Sequence, residues 1–194
     1  MSFNSSIDES NDANNQNMST LEDSNFLQNE NKINKALLNA ISKTLNQVIA
    51  ENQALKNYSR KVKEQSHMVF SARTPPQISL YDYLYRIKYY GEMEDNTLIV
   101  ALIYIDRLCD MTSLTLTPYN IHRILFASIV TAIKYTLDLF YDNKYYSEIA
   151  GVSLKELCKI EESFVDLMEF NFYVEKNHFE KYQKYLKTIE NKFK

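Results

Sequence analysis

Tryptophan is absent from this sequence, and glycine occurs only twice and proline three times among 194 residues. An all-β protein needs many tight turns, so this scarcity predicts long helices joined by sparse connections. No glycine-rich loop exists to cradle a phosphate. Gly91 and Gly151 are isolated, and each is explained as a helix stop. The two cysteines, Cys109 and Cys158, form no CxxC pair, and no secretory leader is evident. They read as reduced core thiols of an intracellular protein, nuclear or cytoplasmic. The three histidines, His67, His122 and His178, are far apart, with no HExxH and no Cys/His cluster. That excludes the common metal-site patterns, and no cofactor is expected. Long hydrophobic runs are also missing. Between Arg123 and Lys134 stand ten residues, about half of the roughly 20 needed to cross a bilayer.

Charge is unevenly distributed. Residues 1–31 carry six acids and no Lys or Arg within a stretch rich in Asn and Ser. Such a segment cannot bury enough apolar surface to offset its ordering entropy, so a disordered tail is expected there. The remainder is only mildly basic, without the dense patch of a nucleic-acid groove. Tyrosine is abundant at 15 residues, a residue that buries its ring while keeping its hydroxyl wet.

The central element is Ile121–Leu137. From Ile124 to Ile133 it is apolar or small on every side, Ser128 and Thr131 excepted. A helix with no face for water belongs in the middle of a domain. Around it the periodicity predicts an all-α protein. Residues 32–74 hold an amphipathic helix, with Leu37, Leu38, Ile41, Leu45, Val48 and Ile49 in its stripe, then a basic, extended connection over 58–74. The main domain, 75–172, opens after Pro75-Pro76. Ser79 with Asp82 caps one helix that ends near Gly91, and another runs from about Asp95 to Met111. Thr117-Pro118 opens the central helix as cap and first residue. A short helix is expected near Tyr145–Ala150, and Ser153 with Glu156 caps a fifth that reaches about Phe170. Residues 173–194 hold a last amphipathic helix from Asn177. The sum is five helices with one flanking helix on each side.

Catalysis needs convergent groups, and none stand out; an enzyme is not expected. Two pairs of unlike charge remain on buried or half-buried helices. Arg86 and Asp106 read as an internal ion bridge, since a guanidinium can hold a carboxylate bidentately. Lys134, near the end of the central helix, must reach the surface or find a carboxylate or carbonyls. Glu161 lies on the apolar face of the fifth helix. Their pair is either an internal bridge or a device that offers donors and acceptor to another protein's backbone.

These residues resemble the cyclin box. The resemblance is carried by ALIYIDRL (Ala101–Leu108), His122-Arg123, Lys134-Tyr135 with Asp138, KYYSEIAGVSLKEL (Lys144–Leu157) and Glu161. The introducing segment SARTPPQISLYDYLYRI (Ser71–Ile87) is similar to that of the Pho-type (P- or U-type) cyclins, here with a single box. The resemblance implies a five-helix box with the third helix central, and a regulatory subunit of a cyclin-dependent protein kinase, bound as a heterodimer. It implies that Arg86 and Asp106 form the internal ion pair. It implies that Lys134 and Glu161 grip backbone groups beside the kinase's mobile αC helix, with Tyr135 and Phe170 as aromatic interface positions. Tyr85, Tyr89 and Glu92 stand where cell-cycle cyclins keep a hydrophobic docking patch, and Ala150-Gly151 replaces a glycine pair. Two other classes remain open: a scaffold that binds without activating, and a nucleic-acid-associated factor on the same box. The acidic tail argues against the second.

Overall fold

The computed structural model describes residues 33–65 and 68–192. The expected disordered tail, 1–31, and His67 lie outside the described residues. Within them the chain is all-helical, with eight helices: α1 (Lys35–Gln53), α2 (Tyr58–Gln65), α3 (Leu80–Gly91), α4 (Asp95–Thr112), α5 (Ile121–Thr136), α6 (Asn143–Ala150), α7 (Leu154–Leu167) and α8 (Lys176–Asn191). Helices α3–α7 are the expected five, and α1 and α8 flank them.

Helix α5 is the axis. Every side chain from Ile124 to Ile133 is buried, so the helix is enclosed on all sides, chiefly by α4 and α7. Helix α4 contributes an unbroken buried run from Thr97 to Ile105. The two together form the core to which the amphipathic helices attach. Helix α1 buries Leu37, Leu38, Ile41, Leu45 and Ile49 against α8 and α3. Its apolar stripe therefore belongs to its own domain.

Short-range chemistry sets most boundaries. Ser79 Oγ accepts from the Asp82 amide at 3.1 Å, and Ser153 Oγ accepts from the Glu156 amide at 3.2 Å. Asp142 caps α6 by accepting from the Tyr145 amide at 2.8 Å. Gly151 ends α6 in the left-handed region, at φ +73°, where glycine meets no Cβ penalty.

Four local expectations are corrected. Residues 58–74 are not wholly extended, because 58–65 form α2. The helix has no buried residue but is supported by Arg60–Glu64, 3.6 Å apart at i,i+4. At its end the Gln65 side chain faces the Thr115 backbone, and with its amide turned over its nitrogen donates to Thr115 O at 3.0 Å and its oxygen accepts from Thr115 N at 2.9 Å. The central helix starts at Ile121 rather than Pro118. Buried Asn120 holds the preceding turn by accepting from Thr117 N at 2.8 Å and donating to Thr115 O at 2.9 Å. At the end of α3 the left-handed residue is Glu92, at φ 47°, not Gly91. A Cβ at Gly91 would stand 2.5 Å from the Met93 methyl, the movable end of that side chain, so a small residue there would shift Met93 rather than the backbone. Finally, neither cysteine is a core thiol: Cys109 is half-buried and Cys158 exposed. Burial pushes the Cys109 thiol up to about 12, helped by Asp106 and Asp110, so it is neutral.

Two cations tie segments to the core. Lys88 is buried, donates to Met93 O and pairs with Asp95 at 3.0 Å, closing the α3–α4 turn. Arg123 donates to Val69 O at 2.8 Å, to Ser71 O at 3.3 Å and to Glu156. It thus fastens the chain that precedes the box to the start of α7.

His122 supplies a pH dependence. Its Nε2 lies 3.0 Å from Ile78 O, its Nδ1 is buried without a partner, and burial lowers its pKa below the ordinary 6.5. The unfolded chain then binds more protons than the folded one as pH falls below that ordinary value, so stability falls with it. The melting temperature is expected to drop between pH 7.5 and 5.5. His122→Gln, which cannot titrate, should make that drop shallower in thermal melts.

Candidate functional site

The last turn of α5 emerges from the core beside α6 and α7. Lys134 sits in that turn, where a cation complements the carbonyl end of a helix. Its ammonium donates to Glu161 Oε1 on α7 at 2.5 Å and to Asn143 Oδ1 on α6 at 2.6 Å. Asn143 Nδ2 in turn donates to Glu161 Oε2 at 2.9 Å. Three helices therefore meet in one closed ring of hydrogen bonds. The side chains of Lys134 and Glu161 keep 26% and 16% of their surface exposed. The pair is neither sealed in the core nor fully wet, so water and another protein can both reach it.

The next residue of α5, Tyr135, is 53% exposed and its ring centroid lies 5.8 Å from that of Phe172. Phe170 is 72% exposed, with its ring 6.4 Å from Phe172. Phe172 itself is buried and packs on Tyr104, whose hydroxyl donates to Phe172 O at 2.7 Å. Burial pushes the Tyr104 phenol above its usual range, which keeps it a donor. The two exposed rings thus stand on a buried aromatic base.

Phe170 is held in an unusual backbone. Glu169 and Phe170 both take left-handed conformations, at φ 49° and 57°, each disfavoured by roughly 1 kcal/mol or more for a residue with a Cβ. Arg107 on α4 supports the turn from below. It donates to Asn171 O, to Asn171 Oδ1 at 3.2 Å and to Tyr173 O at 3.1 Å. Further apolar surface lies between α5 and α6, where Leu139 is 89% exposed and Phe140 and Tyr141 are also exposed. Exposed apolar side chains gathered beside a polar cluster are the usual composition of a protein-binding face.

Of the residues picked out by sequence, Lys134 and Glu161 are brought together. Tyr135 and Phe170 are each packed on Phe172. The expected Arg86–Asp106 ion pair is not formed. Arg86 leaves α3 toward α6 and donates to Glu148 O at 2.9 Å. Asp106 leaves α4 toward α8 and, while still exposed, accepts from the Tyr182 hydroxyl rather than from a guanidinium. Burial, and then that bond, raise the Tyr182 pKa above its usual range. Asn143 and Arg107 were not singled out by sequence. Arg107 stands inside the quoted ALIYIDRL motif, but nothing in the spacing says which carbonyls it reaches. Asn143 reads as an ordinary helix-start residue beside the cap Asp142.

The comparisons fit this geometry. A family model described as "Cyclin" matches residues 9–172, most of the chain. The protein belongs to the cyclin family. Within it the chain is of the Pho-type, for its relatives include U-, P- and PHO85-type cyclins. It is 33% identical over 163 residues to Cyclin-U4-1 of Arabidopsis thaliana, covering 82% of this chain and 78% of that one. It is 36% identical over 109 residues to PHO85 cyclin-like protein psl1 of Schizosaccharomyces pombe, covering 55% and 45%. It is 27% identical over 174 residues to PHO85 cyclin-7 of Saccharomyces cerevisiae, covering 80% and 61%. The chain spans between about half and three quarters of the length of these relatives.

Lys134 and Glu161 should be energetically coupled in the free protein. Replacing either one leaves a half-buried charge without its partner, so Lys134→Met and Glu161→Gln should each destabilise by about 1–2 kcal/mol, while the double variant costs less than their sum. Urea unfolding of the four proteins in a double-mutant cycle measures this; strictly additive losses would deny the coupling.

Proposed function

We propose that the protein is the regulatory subunit of a cyclin-dependent protein kinase and activates it by docking α5 and α7 beside the kinase's αC helix. One observation carries this reading. Lys134 and Glu161 form a close ion pair at the edge of the core, with both side chains partly exposed. A lysine ammonium has three donors and a carboxylate about four acceptor positions, so each group retains capacity for a partner's main chain. Tyr135 and Phe170 supply aromatic contact area of the kind enriched at binding hot spots. Relatives include proteins named as PHO85 cyclins, so PHO85 is the probe we choose for the kinase partner of this reading.

The mechanism follows from differential binding. A kinase whose αC helix is displaced lacks the Lys–Glu pair that orients ATP phosphates. A rigid partner that binds the αC-in form better than the αC-out form shifts the population toward the active one. A preference of ~3–5 kcal/mol changes the active fraction by two to four decades. The rigidity comes from the enclosed core beneath α5. The protein contributes no group to the phosphoryl transfer, so a catalytic activity of its own is not part of this proposal.

Removing one member of a buried, hydrogen-bonded charge pair at an interface typically costs 2–5 kcal/mol of binding. Lys134→Ala and Glu161→Ala are expected to abolish capture of PHO85 while the far-ultraviolet circular dichroism is unchanged. Phe170→Ala should weaken capture by about tenfold. Wild-type levels of capture by either charge variant would overturn the assignment. Comparing substrate phosphorylation by the kinase with and without the chain separates an activator from a scaffold.

A further inference from the structure

The ring at the end of α5 has three members, and the pattern of hydrogen bonds gives each a different role. Lys134 has three donors, of which one goes to Glu161 Oε1 at 2.5 Å and one to Asn143 Oδ1 at 2.6 Å. One remains. Glu161 accepts from Lys134 on one oxygen and from Asn143 on the other, the latter at 2.9 Å, and keeps further lone pairs on both. Asn143 is differently placed. Its oxygen is taken by Lys134, one N–H by Glu161, and its amide nitrogen also lies 3.6 Å from Cys158 Sγ. Its donor nitrogen therefore has both protons directed to α7 and its acceptor oxygen to α5.

We infer that Asn143 is a positioning residue for the kinase-binding pair, aligning Lys134 and Glu161 through its two-ended amide without itself contacting the kinase. This rests on the proposed function above. Two flexible side chains joined by one contact can rotate about it, and each then points its remaining capacity in many directions. A second bridge through an amide closes the ring and removes that freedom before the partner arrives, which is how preorganisation raises affinity. Asn143 is suited to the task because it stands in the first turn of α6, directly after the cap Asp142, so its own backbone is fixed. An amide is the group required. It presents an acceptor to the ammonium and a donor to the carboxylate at once, and neither a carboxylate nor an alkyl group can do both.

A substitution separates this role from mere support. In Asn143→Asp the shape is kept, but the second oxygen would face Glu161 Oε2 at the distance now occupied by a hydrogen bond. Two carboxylates so close hold one proton between them more readily than either alone, and that proton restores the missing donor. The titratable groups facing this position are Lys134 on α5 and Glu161 and Cys158 on α7, with Asp142 and Lys144 beside it in sequence.

The experiment measures the affinity of the full chain for PHO85 from pH 8 to pH 5.5, for wild type, Lys134→Ala, Asn143→Ala and Asn143→Asp. Each affinity is divided by the wild-type value at the same pH, and circular dichroism with thermal melting shows that each variant is folded. Asn143→Ala should bind about ten- to a hundredfold more weakly at every pH. Asn143→Asp should be similarly weak at pH 8 and recover toward wild type as pH falls. Asn143→Ala binding within twofold of wild type, with Lys134→Ala defective, would overturn the inference and leave the proposed function standing. Equal weakness of both Asn143 variants at all pH values would also overturn it, because support alone predicts no recovery. Wild type failing to bind PHO85, or Lys134→Ala binding normally, would instead overturn the functional reading beneath.

Discussion

A helix without a polar face has only one place to be, and α5 imposes that condition on everything around it. Ten consecutive residues, Ile124–Ile133, are buried, so apolar surface must be supplied on all sides by other helices. Helix α4 answers with its own buried run, α7 adds Leu157, Ile160 and Phe164, and α1 and α3 extend the same core with their own stripes, while α8 buries only Leu186. Burial of this extent, at roughly 25 cal/mol per Å² of apolar area, makes the core stiff. Stiffness is then available to whatever is attached at its edge.

The edge is where the charges are. Lys134 follows Ile133 directly, so the same helix that requires an apolar environment delivers an ammonium to the boundary of that environment. There it is met by α6 and α7 rather than by water alone. An ion pair in such a position is a poor source of folding stability, because its desolvation cancels much of its attraction. Its merit is direction. The aromatic side of the face is built on the same logic: Phe172 is buried, and the exposed rings of Tyr135 and Phe170 lean on it.

Much of this could be read from the chain. The five-helix order, the enclosed α5 and the caps at Ser79 and Ser153 follow from rules that act over three or four residues, or over one helical period. Unlike charge on two buried helix faces makes Lys134 and Glu161 a candidate pair, and the cyclin resemblance adds that the pair faces a kinase. What could not be read were choices of partner across helices. Arg86 and Asp106 carry opposite charges on adjacent helices, yet each turns to a third element, α6 for one and α8 for the other. A helix's rotation about its own axis decides such pairings, and small rotations leave the apolar pattern intact. Asn143 was hidden for a related reason: its significance lies in two contacts to residues 9 positions before it and 18 after it. The helix α2 was missed because it buries no residue, so it leaves no apolar period to detect.

The turn at Glu169 and Phe170 has a consequence for how this face could drift in evolution. Left-handed backbone is most comfortable for glycine and asparagine, so relaxing that turn and retaining a large ring at Phe170 are opposed demands on one codon. Replacements that ease the main chain would strip contact area from the surface, and the robustness of the free protein and its grip on a partner would then change in opposite directions. β-Branched residues are closed off from both sides, being too hindered for the turn and lacking a ring. The repertoire at this position is therefore narrow for reasons of conformation as much as of recognition, and Arg107, which braces the turn from α4, narrows with it.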